Sequence, residues 1–105
     1  MAPMPRPVTV DSFDWDDGNI EHILGSGRGI SLEAVEEVFL NSPVWWGEGS
    51  CNREARYIAV GRSDDCRLLS VVFTLRGQAN NMIRPITAID APGHHVKTYK
   101  KQRGE

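Results

Sequence analysis

Three groups of side chains in this chain could do chemistry. Arg62, Arg76 and Arg84 fall on, or at the ends of, segments that read as neighbouring strands. A guanidinium held by a strand offers a fixed fork of donors, which suits phosphodiester oxygens and the charge they gain during cleavage. Arginine on a sheet also serves simply to solvate an edge, and residue type alone does not choose between the two roles. His94 and His95 stand at the start of the last helical segment, with Tyr99 one turn on. Histidine is the side chain best suited to moving protons near neutral pH, although a terminal pair equally fits a cap or a plain surface. Tyr99 by itself fits the edge of a core. Trp15, Asn19 and His22 fall on one face of the first helical segment. They suit either a polar seal between helix and sheet or part of a site.

Other chemistries find no support. No cluster has metal-ligand spacing, and no G-x-S-x-G elbow is present. Gly25-Ser26-Gly27-Arg28-Gly29 follows a helix and reads as a flexible turn, so neither a metal nor an organic cofactor is expected. Cys51 and Cys66 have no CxxC relationship, and two reduced thiols of a cytoplasmic protein are the simplest reading.

Charge separates along the chain. Residues 1–52 carry two basic and nine acidic side chains, a sum of −7, whereas residues 53–105 carry ten and five, a sum of +5. Ordinary solvation of helices by glutamate and of strands by arginine accounts for this, as does a sheet half that faces a polyanion. The length of 105 residues suits one domain with a modest core, and no apolar run approaches the roughly 20 residues of a membrane span. Residues 1–11, rich in proline, read as a disordered tail ahead of a single domain over 12–105.

The hydrophobic spacing supplies the elements that must hold these groups. Asp14 or Asp16 suits the N-cap of a first helix that runs to about Leu24 and stops at the glycines beyond. Ser31 caps a second, with Ile30 placed to staple to Val35 and with Leu32, Val35, Val38 and Phe39 at helical spacing. The period then falls to two. Val44-Trp45-Trp46 reads as a short strand followed by a polar loop over 47–54. Residues 56–62 and 67–76 read as strands joined by a hairpin turn, the second with Leu69, Val71, Phe73 and Leu75 on one face. Residues 82–89 return, but Pro85 lacks an N–H, which predicts an edge position or a bulge. Simple alternation puts Met82, Ile86 and Ala88 on the face of Arg84, whose partner is then Asp90, an acid of the first helix, or a substrate phosphate. Asp90-Ala91-Pro92 opens a last helix, with Val96 and Tyr99 inward and Lys97, Lys100, Lys101 and Arg103 near its negative end. The fold class is α+β: two N-terminal helices, a four-stranded, mostly antiparallel sheet and a C-terminal helix.

Several stretches together resemble one family. Phe13-Asp14-Trp15-Asp16-Asp17-Gly18-Asn19 with His22, then Gly29-Ile30-Ser31-Leu32-Glu33-Ala34-Val35-Glu36-Glu37-Val38-Phe39, resemble the opening of BrnT proteins. So do Arg56-Tyr57-Ile58-Ala59-Val60-Gly61-Arg62, Leu68-Leu69-Ser70-Val71-Val72-Phe73-Thr74 and Ile83-Arg84-Pro85-Ile86-Thr87-Ala88. The resemblance spans residues 12–101, with the motifs in the expected order. It implies a toxin of a type II toxin–antitoxin pair with a RelE-like fold, cleaving RNA without a metal. It also implies neutralisation by a ribbon-helix-helix antitoxin of the BrnA type, with DNA touched only through that antitoxin. Carried over, Arg62 and Arg84 become phosphate clamps, Tyr99 stacks on or orients a base, and Asn19 and His22 belong to the first-helix motif with Trp15. Arg76, Lys97, Lys100 and Lys101 are then expected to hold flanking RNA.

The chain departs from the family pattern at three places. Thr87-Ala88-Ile89 stands where many relatives read Ser-Ala-Arg, and His95 stands where a glutamate is usual. The residues 25–29 replace a His-Gly pair. His95 becomes a candidate replacement acid or base. The same departures carry a second reading, a catalytically weakened relative that serves as an antitoxin-binding module.

Overall fold

A computed structural model describes residues 12–51, 54–78 and 81–105, without the side chains of residues 48–51 and 54. The elements in chain order are β1 (Ser12–Phe13), α1 (Asp17–Leu24), α2 (Leu32–Leu40), β2 (Val44–Cys51), β3 (Glu54–Arg62), β4 (Leu68–Arg76), β5 (Met82–Asp90) and α3 (Gly93–Arg103). They build one sheet in the order β1-β5-β4-β3-β2. Strands β2 to β5 form an antiparallel meander, and β1 runs parallel to β5. The tail expected over residues 1–11 and the side chain of Cys51 lie outside the described residues. Cys66 is a free, exposed thiol. Among the described residues no helix is long and apolar enough to cross a membrane.

Caps fix where the first two helices start. Asp16 accepts from the Asn19 amide while Asn19 Oδ1 accepts from the Asp16 amide, a reciprocal box that begins α1. Ser31 Oγ accepts from the Ala34 amide and begins α2, as expected. Trp15 therefore precedes α1 and does not share the face of Asn19 and His22; its indole donates to Glu36 Oε2 at 2.8 Å and ties the chain to α2.

Alternation along the strands builds two cores, one on each face of the sheet. Trp45, Ala59, Leu69, Val71, Phe73, Ile83 and Ala88 pack with Ile23, Ile30, Val35, Val38 and Phe39 beneath α1 and α2. Val44, Trp46, Ile58 and Val60 pack with Tyr99 beneath α3. Close seating of α2 on β3 depends on Gly61, where a Cβ would come within 3.1 Å of the Val38 carbonyl oxygen and 3.2 Å of Pro43.

Three strand expectations change. The loop expected over 47–54 is largely strand: β2 continues to Cys51 and pairs with β3, with a register shift between Gly47 and Gly49. Backbone pairing overrides a segment whose glycines and charges give no alternating signal. Ser12 and Phe13 form a fifth strand by pairing with Met82 and Ile83, and Phe13 packs edge-on against Phe39 at 5.8 Å. The third change is in β5. Its register passes from Val72↔Thr87 to Phe73↔Pro85, so Ile86 is the extra residue of a bulge beside the proline. Alternation inverts there. Ala88 lies over Val71 in the main core, and Arg84 lies opposite Thr74 on the other face.

Candidate functional site

Helix α3 covers only part of its face of the sheet, and the uncovered end is basic. Register defines it. Tyr57 pairs with Phe73, so Arg56 and Thr74 are the next residues along, and Thr74 pairs with Arg84. Arg56, Thr74 and Arg84 thus form a row across β3, β4 and β5, with Arg76 opposite Met82 one row beyond. Thr74 is buried and its hydroxyl donates to the Ala55 carbonyl, which fixes the middle of the row. The three arginines are half-buried, their stems on the sheet.

Arg84 reaches round the β1 edge of the sheet. Its guanidinium meets Asp16 Oδ2 at 2.9 Å and Asp14 Oδ2 at 3.3 Å, with its side chain 22% exposed. The hydrogen bond from Arg84 holds the Asp16 carboxyl below its ordinary value and, reciprocally, raises that of Arg84. Asp90, the other acidic partner considered for Arg84, instead takes a bidentate grip from Arg67 at 2.7 and 3.0 Å. Beside Arg84 an open cleft of about 270 Å³ is lined by Gly18, Asn19, His22, Arg84, Pro85 and Ile86. Asn19 is 5% exposed and donates to the carbonyls of Asp14 and Pro85, both at 2.9 Å. Its role is to brace α1 against the bulge. His22 is exposed on the wall of the cleft.

His95 sits near the start of α3, over the middle of the sheet. Its Nδ1 lies 2.8 Å from Ser70 Oγ, and its ring packs edge-on against Trp46 at 5.4 Å. Ser70 is 3% exposed, so this contact is made inside the fold and holds the imidazole in one orientation. His94 is exposed, its ring 4.4 Å from that of His95.

Arg62 and Tyr99 are elsewhere. Arg62 is six residues from Arg56 along β3, about 20 Å at strand rise. Its guanidinium lies 5.5 Å from the Tyr99 ring centre, with that of Arg103 at 5.3 Å, and Glu105 pairs with both arginines. Stacking on a base asks for an accessible ring, and the Tyr99 ring is 1% exposed in the second core. The structure therefore brings Arg76 and Arg84 to one end of the sheet, seats His95 on Ser70 and Trp46 midway along it, and leaves Arg62 and Tyr99 at the far end. Lys97, Lys100 and Lys101 are exposed along α3.

Residues 15–93 match the family model described as "Ribonuclease toxin, BrnT, of type II toxin-antitoxin system". The chain belongs to the BrnT family. No individually curated protein matches it. It is accordingly a ribonuclease toxin, with RNA as substrate class and an antitoxin as partner.

Two arginines escape a reading by residue type. Arg56 shares the parity of Ile58, Val60 and Arg62, which places it on the α3 face. Arg67, at the other end of the sheet, reads only as part of a strand. It donates to the carbonyls of Gly29 and Arg28, both at 2.8 Å, while gripping Asp90, and so ties the connection between α1 and α2 to the end of β5. The glycine-rich segment 25–29, which replaces the usual His-Gly pair, is held by this arginine and by Arg28 donating to the Ala88 carbonyl at 3.3 Å.

Proposed function

We propose that this BrnT protein is a metal-independent endoribonuclease that lays its RNA along the end of the sheet left open by α3. The observation that carries the reading is the row Arg56–Thr74–Arg84, with Arg76 beyond it; His95, held on Ser70, lies two rows away on the same face. A phosphodiester in this row meets guanidinium forks whose stems are already held by the sheet, so little reorganisation accompanies charge build-up. In the cleavage step the RNA 2′-oxygen bonds to the adjacent phosphorus and the bond to the 5′-oxygen breaks. A proton leaves the 2′-hydroxyl and another reaches the departing oxygen. His95 serves one of these transfers and water the other. Arg84 holds the non-bridging oxygens, Arg76 a neighbouring phosphate, and Lys97, Lys100 and Lys101 the strand beyond. Arg62 and Tyr99 enter this reading as the clasp that seats the far end of α3.

Asp14 and Asp16 compete with the substrate for Arg84, so binding requires an exchange of carboxylate for phosphate. The neutralising partner in this reading is a ribbon-helix-helix antitoxin of the BrnA type, which alone contacts DNA, and the toxin acts on cytoplasmic RNA. The test is cleavage of a long RNA by the purified protein with and without chelator. Cleavage that persists in chelator, and falls at least about tenfold in Arg84→Lys, is the expected result; tenfold is about 1.4 kcal/mol of transition-state stabilisation. Activity that vanishes with chelator and returns with magnesium would overturn the mechanism.

A further inference from the structure

We infer that the cleft between α1 and β5 is a nucleobase pocket, receiving the base next to the phosphate held by Arg84. The identity of the ligand rests on the RNA-cleavage reading above. The cleft exists because β1 stops after Phe13, so the edge of β5 beyond Ile83 is bordered by a helix instead of a strand. Its volume, about 270 Å³, lies just under the roughly 300 Å³ at which pockets for drug-sized ligands begin, and so admits one flat ring system.

The lining selects the chemistry. Asn19 spends both amide hydrogens on the Asp14 and Pro85 carbonyls and its oxygen on the Asp16 amide, leaving it a wall and not a reader. Gly18, four residues before His22 on the same helical face, contributes no side chain and leaves the space open. Pro85 and Ile86, the residues at the bulge, give an apolar floor. His22 is the exposed ring on the wall. An apolar floor facing an imidazole suits the flat face of an unstacked base, the mode by which proteins hold single-stranded RNA. A phosphate inside the cleft is disfavoured, since Asn19 has spent its amide hydrogens and Gly18, Pro85 and Ile86 bring no charged donor. The neutral base therefore enters, and the phosphate stays outside at the guanidinium.

Two measurements on the full chain test this. In the first, uncharged ribonucleosides are titrated into the protein and followed by NMR, with inorganic phosphate as the control. Shifts at the Gly18 and Ile86 amides and the His22 ring that phosphate does not reproduce are expected. In the second, KM, kcat and the cut sites on a long RNA are compared for wild type, His22→Ala and His22→Phe. His22→Ala should raise KM at least fivefold and redistribute the cut sites, and His22→Phe should recover most of the KM because a flat ring is restored. Unchanged KM and cut sites in His22→Ala, or nucleoside shifts that avoid the cleft, would overturn the pocket while leaving the cleavage reading standing. A wild-type protein that cuts no RNA yet binds nucleosides in the cleft would support the pocket and overturn the cleavage reading.

Discussion

The two faces of the sheet are covered differently. Helices α1 and α2 close one face over a continuous apolar core, whereas α3 closes only part of the other and leaves Arg56, Arg76 and Arg84 outside its cover. Both faces come from the same strands with the same alternation, so the strands do not decide which face is a core and which is a site. The lengths and positions of the covering helices do. Arginine shows this within one face: Arg62 lies under the covered end, against Tyr99 and Glu105, while Arg84 lies at the open end beside a cleft. The first sits in a covered cluster, and the second is held at the edge of the sheet by Asp14 and Asp16.

Substitutions separate the faces, beginning with the closed one. Phe73 is 1% exposed and touches the rings of Phe39, Trp45 and Tyr57 at 4.9, 5.4 and 5.5 Å. Phe73→Ala is expected to cost about 3–5 kcal/mol in denaturant unfolding, and a loss under about 1 kcal/mol would break the comparison. On the open face the expected order reverses. Arg84→Lys should leave the thermal midpoint nearly unchanged and lower RNA cleavage about tenfold, whereas Arg62→Lys should keep its activity per folded molecule. Equal losses of cleavage in the two variants would put the site across the whole face.

Ser70 tests the role given to His95. Its hydrogen bond fixes the imidazole at a net worth of about 0.5–1.5 kcal/mol, so Ser70→Ala should lower RNA cleavage by roughly two- to tenfold. Unchanged cleavage would reduce Ser70 to packing. The smallest effect is expected at Asp16, whose carboxyl sits below 3.8 chiefly because Arg84 hydrogen-bonds to it. A lowered folded value stabilises the protein above 3.8, and that contribution is lost as pH falls through the folded value. Asp16→Asn keeps a good N-cap, so its thermal midpoint should fall less steeply than that of the wild type as pH drops below 3.8. Parallel curves would mean that the pair with Arg84 contributes nothing to folding.

Much of this was legible in the residues. Ser31 and the run from Leu32 to Phe39 announced α2, and the even spacing of Leu69, Val71 and Phe73 announced the buried face of β4, because each pattern belongs to one period. Pro85 announced an irregularity, and the bulge at Ile86 is there. What was not legible depended on partners distant in sequence. A two-residue strand such as Ser12–Phe13 carries no period, and only its pairing with β5 makes it a strand. The glycines after Trp46 hid the extension of β2 for the same reason. Nor could a one-dimensional reading foresee that one inserted residue would turn Ala88 inward and part Arg84 from it. For Arg84 the residues suggest Asp90 or an acid of the first helix; Asp90 goes to Arg67, and Asp14 with the N-cap Asp16 meets Arg84.

The pairing of Ser12 with Met82 also sets an order of assembly. Each hairpin of the meander joins neighbours in sequence, but β1 must wait for a partner 70 residues away, and such distant contacts form late. Synthesis runs from the N-terminus, so α1 and Asp14 leave the ribosome long before Arg84 exists to meet them. Ribosome-stalled chains that end before Met82 should be inert toward RNA. The edge that β1 shares with β5 is therefore the last part of the sheet that the growing chain can complete.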